Sequence, residues 1–128
     1  NPCSISQAAA VEALNGPQYT VAEMHRAFDK RRKFIYKRVN EMPLVSAVEP
    51  KGAFYLFVDC SQVVGKEYKG KTIENAADMA AILIEDFKVA VVPCGDFGFD
   101  DHIRLSYATS TGEITKGLER IESFLNLL

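Results

Sequence analysis

Residues 102–128, HIRLSYATSTGEITKGLERIESFLNLL, change hydrophobic period within a few positions, and that change decides the fold. From His102 to Ala108 apolar and polar residues alternate, with Ile103, Leu105 and Tyr107 on one face and His102, Arg104 and Ser106 on the other. This is the period of a half-buried strand. From Ser110 onward the spacing becomes helical, and Ile114, Leu118, Ile121, Leu125 and Leu128 form one stripe. Ser110 followed by Glu113 is a capping-box signature that opens this helix. A strand with one apolar face running into an amphipathic helix needs a sheet covered by helices on that face. The other face is then left open, and Arg104 points into it.

Working outward, Ala53–Val58 (AFYLFV) is a second, aromatic-rich strand after the turn residues Pro50, Lys51 and Gly52. Leu44–Val48 alternates and predicts a further strand, and Val89–Val92 predicts a short one ended by Pro93. Thr72 is the expected cap of a helix whose core side carries Ile73, Ala76, Ala77, Ala80, Leu83, Ile84 and Phe87. Between them, Gly65–Lys71 reads as a polar excursion loop. Near the start, SISQAAAVEALN (residues 4–15) predicts a short helix stopped by Gly16 and Pro17. Thr20 with Glu23 signals a second capping box, after which Val21, Met24, Phe28, Ile35, Val39 and Met42 predict a long helix ending before Pro43. Its opposite face carries Arg26, Lys30, Arg31, Arg32, Lys33, Lys37 and Arg38. The expected fold class is α/β in an α+β arrangement, a small mixed or antiparallel sheet of three or four strands covered by helices.

Composition bounds the function. The chain has 128 residues, 48% of them hydrophobic, enough for one core, and a net charge of −2. That balance argues against a surface built for nucleic acid or anionic membrane, and no apolar run approaches the roughly 18 residues of a membrane span. The three cysteines, Cys3, Cys60 and Cys94, lack a C-x-x-C pair, so they are expected as buried or semi-buried thiols of a reducing, cytoplasmic setting.

Few residues signal chemistry by pattern alone. A guanidinium held rigidly on a strand can bind a carboxylate through two parallel hydrogen bonds, although arginines on the open faces of antiparallel sheets are also common. His102 has no neighbour at metal-ligand spacing, and Asp100 and Asp101 read as solvated loop carboxylates. Asp96, Phe97 and Gly98 match a kinase metal loop, but the phosphate loop and catalytic loop that must accompany it are missing. The basic face of the long helix reads as solvated or packed against another domain, with a nucleic-acid adaptor as the weaker alternative.

Four strings in the right order, NPCSISQAAAVEAL, VEPKGAFYLFVD, VAVVPCGDFG and HIRLSYATS, with an amphipathic helix after them, resemble the C-terminal part of class I pyridoxal-phosphate-dependent aminotransferases of the aspartate type. The resemblance covers essentially the whole chain. It implies that residues 1–128 are the small C-terminal domain with its N-terminal connecting helices, and that the large cofactor-binding domain lies outside this chain. It further implies that Arg104 binds the substrate α-carboxylate, reversing the plainer reading of an exposed sheet arginine, and that Phe54 lines the substrate pocket rather than serving only as a core aromatic. Cys94 stands where the family often has glycine.

The reaction implied is exchange of an amino group between an amino acid and a 2-oxo acid by way of pyridoxal 5'-phosphate, in a cytoplasmic homodimer. The lysine that carries the cofactor and the phosphate cup belong to motifs such as S-K and G-x-R that this chain lacks, so the cofactor is not expected to bind it tightly and the chain alone is expected to be inactive. The absence of an initiator Met fits the same expectation of a piece of a longer polypeptide. The alternative is a stand-alone small-molecule-binding or interaction module derived from the same fold, and upstream S-K and G-x-R segments would decide against it.

Overall fold

A computed structural model describes residues 1–128. Helix α1 (Ser4–Asn15) is followed by α2 (Tyr19–Asn40), strands β1 (Ser46–Ala47) and β2 (Tyr55–Asp59), and a small hairpin of β3 (Glu67–Tyr68) and β4 (Lys71–Thr72). Helix α3 (Ala76–Glu85), strand β5 (Val92–Pro93), a 3-10 turn (Gly95–Phe97), strand β6 (His102–Ser106) and helix α4 (Thr111–Leu125) complete the chain. The main sheet has the order β1-β2-β6-β5, and every pairing in it is antiparallel.

The change of period at residues 102–128 is realised as expected. Ile103 and Leu105 point inward and are buried, whereas Ser106 is exposed and His102 and Arg104 are half-buried on the opposite face. Ser110 caps α4, its hydroxyl oxygen accepting from Glu113 N at 3.2 Å. Leu56 and Val58 of β2 join Ile35 and Val39 of α2, Met79 and Leu83 of α3, and Ile114, Leu118, Ile121, Phe124 and Leu125 of α4 in one core. The helices therefore cover one face of the sheet. Leu128 lies beyond the end of α4, and Phe124, fully buried, takes the larger share of the packing there.

Several local expectations are corrected. The capping box at Thr20 does not form: α2 starts at Tyr19 after Gln18, and the Gln18 side chain instead donates to the carbonyls of Ala13 and Gly16, both at 3.0 Å. Those are orphan acceptors at the end of α1, and satisfying them joins the two helices. Thr72 belongs to β4, and the cap of α3 is Asn75, whose side-chain oxygen accepts from Ala77 N and Asp78 N. Asp78 returns the contact by accepting from Glu74 N at 2.9 Å. Ile73 is buried ahead of the helix, while Ala77 and Ile84 face outward.

The expected excursion loop contains the β3–β4 hairpin. Its two-residue turn is Lys69-Gly70, both at positive φ (50° and 78°), as a hairpin turn matched to strand twist requires. β5 includes Pro93, which is tolerated because this is an edge strand whose proline owes no hydrogen bond on its open side. Cys60 and Cys94 are buried, but Cys3, at the start of α1, is exposed.

Part of the basic face of α2 is spent on packing. Arg32 donates to Asp29, to Glu49 at 2.7 Å and to the Pro50 carbonyl at 3.0 Å, fastening the helix to the loop before β2. Arg38 meets Glu122 of α4 at 2.9 Å. By contrast, α1 buries no residue, and Ile5, Val11, Leu14, Tyr19, Val21 and Met24 remain exposed along α1 and the first turns of α2. No helix is long and apolar enough to cross a membrane.

Candidate functional site

The open face of the sheet is built from register. In the β2–β6 ladder Tyr55 lies opposite Ser106, Phe57 opposite Arg104 and Asp59 opposite His102, and on the other side Val92 of β5 lies opposite Arg104. Because Leu56, Val58, Ile103 and Leu105 turn into the core, these partners share the outer face. The 3-10 turn adds Phe97, held by Phe97 N donating to the Cys94 carbonyl at 2.9 Å and by Gly98 at φ 87°, a left-handed conformation that glycine adopts without strain.

Arg104 stands at the centre of this face. Its Cζ lies 4.3 Å from the centroid of the Tyr55 ring and 5.2 Å from that of Phe97. Its Nε is buried and without a hydrogen-bond partner. Of the other half-buried arginines, all on α2, Arg32 and Arg38 are each paired with two carboxylates, and Arg31 lies over the Phe28 ring, 5.5 Å from its centroid. Arg104 is therefore the arginine of this sheet face, with a fork that no carboxylate of the chain occupies, and its planar donors match an outside carboxylate bidentately.

Phe54 sits at the entrance to β2. It is 40% exposed and lines a shallow apolar recess with Val21, Met24, Phe28 and Ala53. Its ring is 6.3 Å from Phe28 and 4.4 Å from Tyr55. Phe54 and Arg104 thus both meet Tyr55, one from the helix side and one from the strand side. Tyr107 anchors this corner: its backbone N–H donates to the Phe54 carbonyl at 2.9 Å and its hydroxyl to the Ala53 carbonyl at 3.0 Å. Ala53 itself holds φ 57°, unusual for a residue with a Cβ.

At the far end of the face His102 stacks on Phe57, with ring centroids 4.5 Å apart, and its Nδ1 lies 2.6 Å from Asp101 Oδ1. Asp59 completes a trio whose ligand atoms fall within 4.8 Å of one another. Local pairing accounts for this cluster. Asp101 is engaged by the imidazole, and Asp59 accepts from Ser61 N, a bond that with the Ser61 side chain and nearby His102 holds its carboxyl below the usual carboxylate range. Asp100 is exposed in the loop, and Asp101 is half-buried.

Sequence reasoning did not single out Tyr55, Phe57 or Phe97 as members of the face. The signal existed for the first two, since alternation through AFYLFV places Tyr55 and Phe57 opposite Leu56 and Val58. Which face that was depended on the pairing with β6. Phe97 carried no signal, because a turn brings it there. No lysine occurs among the residues of this face.

Known proteins share the sequence and the fold of this chain. The family model for aminotransferase class I and II matches residues 1–121. A probable aspartate/prephenate aminotransferase of Rickettsia bellii is 44% identical over 123 residues, covering 95% of this chain and 31% of that protein. An aspartate aminotransferase of Rhizobium meliloti is 46% identical over 121 residues, covering 94% of this chain and 30% of that protein. Among solved structures, the aspartate aminotransferase of Rhizobium meliloti superposes with a TM-score of 0.93 at 44% identity, covering 98% of this chain and 32% of that one. An alanine aminotransferase of Pyrococcus furiosus gives a TM-score of 0.86 at 28% identity. The chain spans about a third of the length of the relatives it matches.

Proposed function

The chain belongs to the aminotransferase class I and II family, and on that premise we propose that it is the C-terminal small domain of an aspartate-type aminotransferase in which Arg104 receives the substrate's α-carboxylate. The observation that carries this reading is a half-buried arginine at the centre of an open sheet face with no acidic partner of its own. Amino acid and 2-oxo acid substrates share that carboxylate. Two parallel hydrogen bonds from a fixed fork orient the rest of the substrate, which is how a binding residue contributes to rate without touching the reacting atoms. Phe54 supplies an apolar wall beside it.

Pyridoxal 5'-phosphate, the cofactor of such enzymes, does not fit the residues present here, since the face of Arg104 holds no lysine to carry it. Its site belongs to the rest of the polypeptide. The apolar side chains of α1 and early α2, from Ile5 to Met24, remain exposed on this chain and are suited to pack against that large domain and the second subunit of a cytoplasmic homodimer. Movement of the small domain over bound substrate then excludes water from the chemistry.

The test is Arg104→Lys in the full-length enzyme, assayed by steady-state kinetics with aspartate and with a 2-oxo acid. Lysine keeps the charge but not the fork, so kcat/KM should fall about 100-fold, carried mainly by KM. An unchanged KM refutes the assignment.

A further inference from the structure

Arg104 is held in place without spending any of its hydrogen-bond donors. A half-buried arginine is commonly steadied by a neighbouring carboxylate, as Arg32 of α2 is by Asp29 and Glu49. Such a partner would occupy the fork and neutralise the charge that an incoming carboxylate must meet. At Arg104 ring faces do the holding: Tyr55 at 4.3 Å and Phe97 at 5.2 Å from Cζ. A guanidinium is weakly hydrated and attracted to the negative face of an aromatic ring, and such a contact consumes none of its hydrogen-bond donors.

From this geometry we infer that Tyr55 and Phe97 are positioning residues, an aromatic clamp that pre-organises the Arg104 fork for carboxylate binding. The inference rests on the reading of Arg104 as the carboxylate site. Three details favour it. Tyr55 is diagonal to Arg104 across the ladder, the separation at which long and aromatic side chains meet on one sheet face. Tyr55 is itself supported, its other neighbour being the Phe54 ring at 4.4 Å. Phe97 is aimed by the turn at Gly98 rather than by core packing, and at 57% exposure it has little structural work apart from covering Arg104. What the clamp removes is the rotamer freedom that Arg104 would otherwise lose when substrate binds, a cost charged directly against affinity.

The experiment uses the full-length enzyme with Tyr55→Leu, Tyr55→Phe, Phe97→Leu and Arg104→Lys. KM and kcat are measured for an amino acid and a 2-oxo acid, and the Nε–H resonance of Arg104 is followed in 15N-arginine-labelled protein, assigned by its disappearance in Arg104→Lys. Tyr55→Leu should raise KM for both substrates about tenfold, the scale of one cation–π contact, while kcat stays within about twofold. The Nε–H resonance, shielded by the two rings, should move downfield. Tyr55→Phe keeps the ring and should restore both KM and the resonance position. Phe97→Leu, on an exposed turn and therefore safe for folding, should raise KM about threefold. If Arg104→Lys raises KM but Tyr55→Leu and Phe97→Leu leave it unchanged, the clamp is overturned and the carboxylate site survives. If Arg104→Lys itself leaves KM unchanged, the site assignment fails and the clamp's role falls with it.

Discussion

Replacing Tyr107 by Phe removes a single oxygen, yet that oxygen ties the corner from which Phe54 projects. The ring is 1% exposed, lies edge-on to Phe28 with centroids 6.4 Å apart, and would stay where it is, so no cavity opens. What is lost is the hydrogen bond to the Ala53 carbonyl at 3.0 Å. A neutral hydrogen bond of this kind is worth about 1 kcal/mol net. Ala53 is exposed at the surface, so water can take up its carbonyl and the larger penalty for a dry acceptor does not apply. For a chain of 128 residues, 1 kcal/mol corresponds to a fall in melting temperature of about 4 °C.

The assay is urea unfolding of wild type and Tyr107→Phe at pH 7, repeated at alkaline pH. Burial holds the Tyr107 proton above the usual phenol range, so folding favours the protonated hydroxyl. That contribution is complete below the unfolded-state value of about 10 and is lost as pH rises from there towards the folded value. Wild type should therefore lose its advantage over the variant at alkaline pH. A variant as stable as wild type at pH 7, or a difference that widens with alkali, would refute the reasoning.

Two further outcomes are expected. Asn75→Ala removes the cap of α3 and exposes the orphan N–H groups of Ala77 and Asp78, costing about 1 kcal/mol by chemical denaturation, whereas Thr72→Ala, at the position read from sequence as the cap, should cost well under half of that. Thiol reactivity in the native 128-residue chain should divide sharply. Cys3 is exposed, and the backbone N–H groups of Ser6 and Ile5 lower its pKa, while burial pushes Cys60 up to about 12 and raises Cys94. Mass spectrometry after brief alkylation at pH 8 should find the label on Cys3, and rapid modification of Cys60 would contradict its placement in the core.

The elements that follow from local chemistry were legible early. The alternation at Ile103, Leu105 and Tyr107 and the stripe beginning at Ile114 located the last strand and helix, because periods of two and 3.6 leave their mark wherever one face is buried. The Ser110 cap was legible for the same local reason. Starts of helices were less so: Thr20 and Thr72 carry the right chemistry, but Gln18 and Asn75 win by their fit to carbonyls of α1 and amides of α3. The Lys69-Gly70 hairpin leaves no such mark, because strands of two residues have no period.

Residues by themselves determined that Arg104 would stand on the uncovered side of a helix-backed sheet and, through family resemblance, what an arginine there is expected to bind. Tertiary structure decided how it is held. Tyr55 reaches Arg104 because antiparallel register places positions 55 and 106 opposite each other, and Phe97 does so because a left-handed glycine turns the chain back over the strand. Register and turn direction depend on contacts between segments far apart in the chain. A sequence pattern records which side of each strand is wet, but only the packed sheet determines which wet side chains meet.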